Sequence, residues 1–84
     1  MSAQKTFQLI IAKVNEQLYN GAAESITVPG SEGELTLLAH HEALISILKA
    51  GTITVRGGAT GLQQFSITNG ILEVSNNQLT VLVS

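Results

Sequence analysis

Apolar residues recur at every second position through most of this chain, and that period leaves little but β-structure open to it. Phe7, Leu9 and Ile11 alternate with Gln8 and Ile10, Ile26 and Val28 with Ser25 and Thr27, and Ile53 and Val55 with Thr52, Thr54 and Arg56. Phe65 and Ile67 stand against Gln64, Ser66 and Thr68, and Leu79, Val81 and Val83 against Gln78, Thr80 and Leu82. Successive side chains of a strand point to opposite faces, so each run buries one face, and these aliphatic residues are read as core. Between the runs lie Asn20-Gly21, Pro29-Gly30, Gly57-Gly58, Asn69-Gly70 and Asn76-Asn77, pairs that accept the positive φ of tight hairpins. Short strands at such spacing predict an all-β sandwich or barrel. Residues 42–49 are the ambiguous stretch. Leu44, Ile45 and Leu48 would line one face of a short helix, whereas β-branched Ile45 and Ile47 favour strand. The reading is strand, with one helical turn at Glu42 as the most helix admitted.

Composition narrows the function. The 84 residues are read as a single domain, residues 1–84, near the size at which folding hides only about 60% of the unfolded surface. With 12% charged residues against 44% hydrophobic ones, such a chain leaves apolar surface for a partner to cover. Four Lys and Arg and a net charge of -2 supply no phosphate-neutralising patch, so nucleic acid is not an expected partner. No run approaches the ~20 apolar residues of a membrane span, and residues 1–5 lead into no signal-peptide hydrophobic region, so direct membrane insertion is not expected. The lack of cysteine excludes disulfides and thiolate metal sites.

The most informative local stretch is Val28-Pro29-Gly30-Ser31-Glu32-Gly33-Glu34-Leu35, followed by His41, Leu44 and Leu48. Pro29 suits the first corner of a tight turn and Gly30 the positive φ of a type II second corner, after which Gly33 releases the chain into a new strand. No Lys or Arg stands between Lys13 and Lys49, so Glu32 and Glu34 form an acidic tip that projects into water. All six acids are Glu, and without Asp there is no Ser-His-Asp triad, EF-hand loop or aspartyl dyad. An exposed loop offers Glu32 and Glu34 neither the burial nor the partner that acid–base chemistry demands; they are ordinary solvated turn residues or a partner-facing tip. His40 and His41 point in different directions and have no Cys or Asp to complete a shell, so no metal site is expected. Gly30-Ser31-Glu32-Gly33 lacks the Gly-Lys-Ser/Thr that ends a phosphate loop, and its carboxylate repels phosphate. No cofactor is expected.

The same residues resemble the Pro-Gly-x-x-Gly-x-Leu motif, with its downstream His-x-x-Leu, of the epsilon subunit of F-type ATP synthases, called delta in mitochondria. Leu48-Lys49-Ala50-Gly51 with Ile53 and Val55 looks like the family's next turn and strand, and Asn69-Gly70-Ile71-Leu72-Glu73-Val74 like its Gly-Gly-Phe/Ile-x-Glu-Val segment. Thr80-Val81-Leu82-Val83 resembles the last strand of the family's N-terminal domain. The likeness runs over residues 7–83. Thr36 stands where a Gly is usual, Ala39-His40 where Pro-Gly is usual, Glu42-Ala43 where Ala-Pro is usual, and Asn69 where the first Gly of a pair is usual.

The resemblance implies a flattened two-layer β-sandwich of about ten short strands. It implies a non-catalytic part of the central stalk, packed against the gamma subunit and seated on the polar loops of the c ring. Such a rotor subunit couples ion translocation through the ring to ATP synthesis or hydrolysis. Carried over by position, Glu34, with Glu32 beside it, matches a family glutamate near the ring loops, and His41 matches a histidine in the segment nearest gamma and the ring. The implied place is peripheral, on the cytoplasmic face of a bacterial inner membrane or the equivalent face in an organelle. Relatives continue into two C-terminal helices that regulate hydrolysis and in some bacteria bind ATP. These 84 residues hold no such helical hairpin, so neither that regulation nor a small-molecule ligand is expected. Two other classes compete. A stand-alone sandwich module that binds protein or carbohydrate wants exposed aromatics, for which only Tyr19 is a candidate; a small hydrolase wants a nucleophile and base that the sequence does not offer.

Overall fold

The structure, a computed structural model, describes residues 5–58 and 61–84. The N-terminal stretch read as carrying no leader lies, for residues 1–4, outside the described residues. Every regular element described is a strand: β1 (Phe7–Lys13), β2 (Glu16–Ala23), β3 (Ser25–Gly30), β4 (Gly33–Leu38), β5 (Leu44–Leu48), β6 (Gly51–Gly58), β7 (Gly61–Ile67), β8 (Gly70–Ser75) and β9 (Gln78–Val83). These nine replace the expected ten or so.

Hydrogen bonding follows one path, β2-β1-β9-β8-β5-β3-β6-β7, with β4 attached to β3. The path folds over where β3 changes partner. Ser25, Ile26 and Thr27 pair with β6, whereas Gly30 pairs with Leu48 of β5. Two further bonds hold this corner, Ser31 N to Ile47 O and Lys49 N to Pro29 O, both 2.8 Å. One layer is therefore β2-β1-β9-β8-β5 and the other β4-β3-β6-β7. On the opposite side the layers meet without a strand ladder. Glu24 N donates to Arg56 O at 2.9 Å, and the Tyr19 and Phe65 rings meet edge-on with centroids 6.5 Å apart. The result is the flattened, two-layer body expected, with extents of 40 × 25 × 20 Å.

The period-2 reading of the core holds. Phe7, Leu9, Ile11, Leu72, Val74, Leu79, Val81 and Val83 from one layer meet Ile26, Val28, Leu37, Ile53, Val55 and Ile67 from the other, none more than 8% exposed. Each such side chain contributes about 1.5–3 kcal/mol on transfer from water, and this burial is what holds two thin layers together.

Two turn expectations fail, and the strand reading of residues 42–49 holds without the helical turn it allowed. Asn20-Gly21 is not a turn but the middle of β2, with Asn20 opposite Ile10 and Gly21 opposite Leu9. The chain reverses instead at Val14 and Asn15, where Asn15 takes φ 71°. An Asn-Gly pair permits a turn without compelling one, and β2 must run on to set Ala23 opposite Phe7. Asn69-Gly70 leads from β7 into β8, strands that do not pair, and neither residue takes a positive φ. No helical turn forms at Glu42, which is irregular. Its successors Leu44 to Leu48 pair residue for residue with β8, and Ile45 lies 71% exposed rather than beside Leu48 in the core. Asn76-Asn77 does form the β8–β9 turn, at φ 51° and 58°.

Candidate functional site

At the acidic tip, Gly30 faces Gly33 and Pro29 faces Glu34 across the β3–β4 ladder, so the loop is only Ser31 and Glu32. Here the turn expected at Pro29-Gly30 is displaced two residues, to Ser31-Glu32. Gly30 does not adopt a positive φ; a Cβ there would lie 2.6 Å from the Gly33 carbonyl oxygen, so glycine is required by close approach of backbone. Gly33, at φ 137°, turns the chain into β4, as read from the sequence. Glu32 and Glu34 are both exposed. They rim a shallow groove of about 260 Å³ floored by half-buried Leu35 and Leu44.

His41 does not line that groove. It is exposed on the link from β4 to β5, with Nδ1 2.8 Å from the Glu42 carbonyl oxygen. The link is anchored one residue earlier. His40 sits in the left-handed region at φ 65°, and its N–H donates to Asn77 Oδ1 at 2.7 Å. Asn77 Nδ2 in turn donates to Thr6 O at 2.9 Å, and Asn77 O accepts from Gln8 N at 3.2 Å. One turn asparagine thus fastens the β4–β5 link and the start of β1 to the β8–β9 hairpin. Among the described residues no group of three or more His, Cys, Asp or Glu is placed to hold a metal.

The two outer faces differ. That of β3, β4, β6 and β7 is mainly polar and cross-bonded, with Leu38 and Leu62, each 59% exposed, as apolar exceptions: Thr27 Oγ1 and Thr36 Oγ1 are 3.0 Å apart, Arg56 Nη1 donates to Thr27 Oγ1, and Gln64 Nε2 donates to Thr54 Oγ1. The face of β5, β8, β9 and β1 is ordered in rows by the register. Ile47, Ile71, Leu82 and Ala12 form one row; Ile45, Glu73, Thr80 and Ile10 form the next; Ser75, Gln78 and Gln8 form a third. Ile45, Ile47, Ile71 and Leu82 are 71%, 65%, 49% and 56% exposed. A contiguous group of large aliphatic side chains in water marks an interaction surface.

The family model described as "ATP synthase, Delta/Epsilon chain, beta-sandwich domain" matches residues 6–84. The chain belongs to this family. It is 40% identical over 76 residues to the ATP synthase epsilon chain of Sulfurimonas denitrificans, covering 90% of this chain and 58% of that one. It is 35% identical over 77 residues to the ATP synthase epsilon chain of Bordetella petrii, covering 92% and 55%. The chain thus spans little more than half the length of these relatives. Its fold matches a chain in a structure of the Euglena gracilis mitochondrial ATP synthase, OSCP/F1/c-ring, with TM-score 0.87, 21% identity and coverage of 99% and 53%. A second match is to a chain of the Tetrahymena thermophila mitochondrial ATP synthase central stalk and c-ring, with TM-score 0.78, 19% identity and coverage of 99% and 66%.

Family membership gives meaning to one departure noted in the sequence. His40 stands where the resemblance leads one to expect Gly, and it holds the left-handed backbone that glycine takes without strain; the bond to Asn77 supports it. The residues of the apolar outer face were not singled out from sequence. Their signal was present: Ile10, Ile71 and Leu82 fall at outward positions of strands whose inward positions are already apolar. Apolar residues in the wrong phase of an alternation mark a second apolar face.

Proposed function

We propose that this β-sandwich is the stalk-seating part of an F-type ATP synthase epsilon subunit, a non-catalytic rotor component that binds the gamma subunit and rests on the c ring. The observation that carries the reading is the contrast between the outer faces: one mainly polar and internally bonded, with Leu38 and Leu62 its exposed aliphatic side chains, the other presenting the contiguous group Ile45, Ile47, Ile71 and Leu82 to solvent. Gamma covers the apolar face. The Glu32 and Glu34 tip, with the His41 segment, meets the polar ring loops. Acting as one domain, the close-packed core transmits torque between the two contacts because such interiors deform little. The chain reaches the membrane through these partners, on the cytoplasmic side in a bacterium or the equivalent side in an organelle; among the described residues no helix is long and apolar enough to cross a membrane.

A free-standing binding module is not favoured. Tyr19, the aromatic that reading needs exposed, packs on Phe65 and donates its hydroxyl to Ala22 O at 2.7 Å.

The test is capture of the gamma subunit of the same complex by the chain, wild type against Ile47→Asp/Ile71→Asp. The double variant should fold, since both residues are exposed, and lose capture. Capture at wild-type affinity would overturn the assignment of this face.

A further inference from the structure

Within the apolar outer face stands one carboxylate. Glu73 is flanked along β8 by Ile71 on one side and Ser75 on the other, with Ile45 opposite it on β5 and Thr80 opposite it on β9, so it stands at the border between the aliphatic group and a polar hollow lined by Ser75, Asn76, Gln78 and Thr80. Any surface that covers both Ile45 and Ile71 covers Glu73 as well. The rows around it, from β5 across to β1, contain no Lys or Arg, and the nearest polar neighbour in register is the Thr80 hydroxyl. A carboxylate taken out of water without a countercharge is strongly unfavourable, whereas one met by a cation in a water-poor contact is held firmly. An apolar partner patch that spreads over Ile45 and Ile71 alone would therefore be opposed by the carboxylate at its edge.

We propose that Glu73 is the specificity determinant of the face, and that the partner surface is apolar with a single basic side chain, Lys or Arg, placed to pair with it. This inference rests on the reading that gamma covers the face. The same carboxylate discriminates against a second copy of the chain wherever these three rows are laid on one another, because the rows bring no cation to either Glu73. Specificity built this way uses repulsion of the wrong partner as well as attraction of the right one.

The experiment measures the dissociation constant of the full chain for the gamma subunit of its own complex at low and moderate salt. Glu73→Gln is expected to weaken binding about tenfold and to flatten the salt dependence, and Glu73→Lys to weaken it about a hundredfold. Circular dichroism should be unchanged for both, because Glu73 is exposed. Replacing the basic residues of gamma by Glu one at a time should restore binding to Glu73→Lys at one position. The proposal is overturned if Glu73→Gln binds with wild-type affinity and salt dependence, or if no charge reversal on gamma restores Glu73→Lys. Ile71→Asp separates the two levels: if it binds normally the docking face itself is wrong, and if it abolishes binding while Glu73→Gln is neutral, only the charge pairing fails.

Discussion

Glu32 and Glu34 occupy a hairpin whose backbone is decided by its glycines, not by its acids: Gly30 is needed for close approach to the Gly33 carbonyl and Gly33 for its φ of 137°. The acids contribute charge to a frame that stands without them. Glu32→Lys/Glu34→Lys is therefore expected to change stability by no more than ~0.5 kcal/mol per site, as exposed substitutions usually do. On the proposed seating against the ring, assembly should suffer instead, since reversing two charges in a partly desolvated contact would leave groups unpaired at about 2 kcal/mol or more. Near-normal melting with impaired ATP-driven ion pumping in reconstituted vesicles is the expected outcome. Normal pumping would remove the pair from the mechanism, and a collapsed melting temperature would make it structural.

Strand β8 shows how one element serves two purposes. It is paired on both sides, by β5 and by β9, and its alternation sends Leu72 and Val74 inward and Ile71 and Glu73 outward. Adjacent residues of similar size should then respond oppositely to truncation. Leu72→Ala, at a site with no exposure, is expected to lower stability by about 2–5 kcal/mol through lost burial and a cavity. Ile71→Ala should lower it by less than about 1 kcal/mol yet weaken capture of gamma. Urea titration of both variants beside a gamma-binding assay checks the contrast; equal destabilisation would mean that Ile71 packs against the core.

At the scale of the molecule, the two layers are joined by a ladder at the β3–β5 corner but at the other margin by one backbone bond, Glu24 N to Arg56 O, and by side chains. Tyr19 serves that margin through its edge-on contact with Phe65, its ring held in place by a bond from its hydroxyl to Ala22 O of the same strand. Such an aromatic pair contributes about 0.5–1.5 kcal/mol and such a bond about 1 kcal/mol. Tyr19→Ala is accordingly expected to cost about 2 kcal/mol in thermal or urea unfolding, with faster amide exchange in β2 and β7, the strands it draws together. Unchanged exchange there would show that the margin is held by other contacts.

Much of this was legible from the residues alone. Period-2 alternation states which side chains go inward wherever only one face is buried, so Phe7, Leu9, Ile11, Ile53, Val55, Leu79 and Val81 were readable as core, and two asparagines in succession marked the β8–β9 turn. The family, too, was readable from the spacing around Gly30, Gly33 and His41. What remained was non-local. Asn20-Gly21 could have been a turn until pairing with β1 extended β2 through it, and the β3–β4 turn moved two residues because contact between Gly30 and Gly33 depends on register. A helical turn at Glu42 was open until β8 supplied a ladder for Leu44 to Leu48. The apolar outer face is the clearest case: Ile45, Ile47, Ile71 and Leu82 come from three separated segments, and only strand order and register set them side by side with Glu73 at their border. Local sequence determines which face of each strand is apolar; long-range hydrogen bonding between strands decides which faces become neighbours.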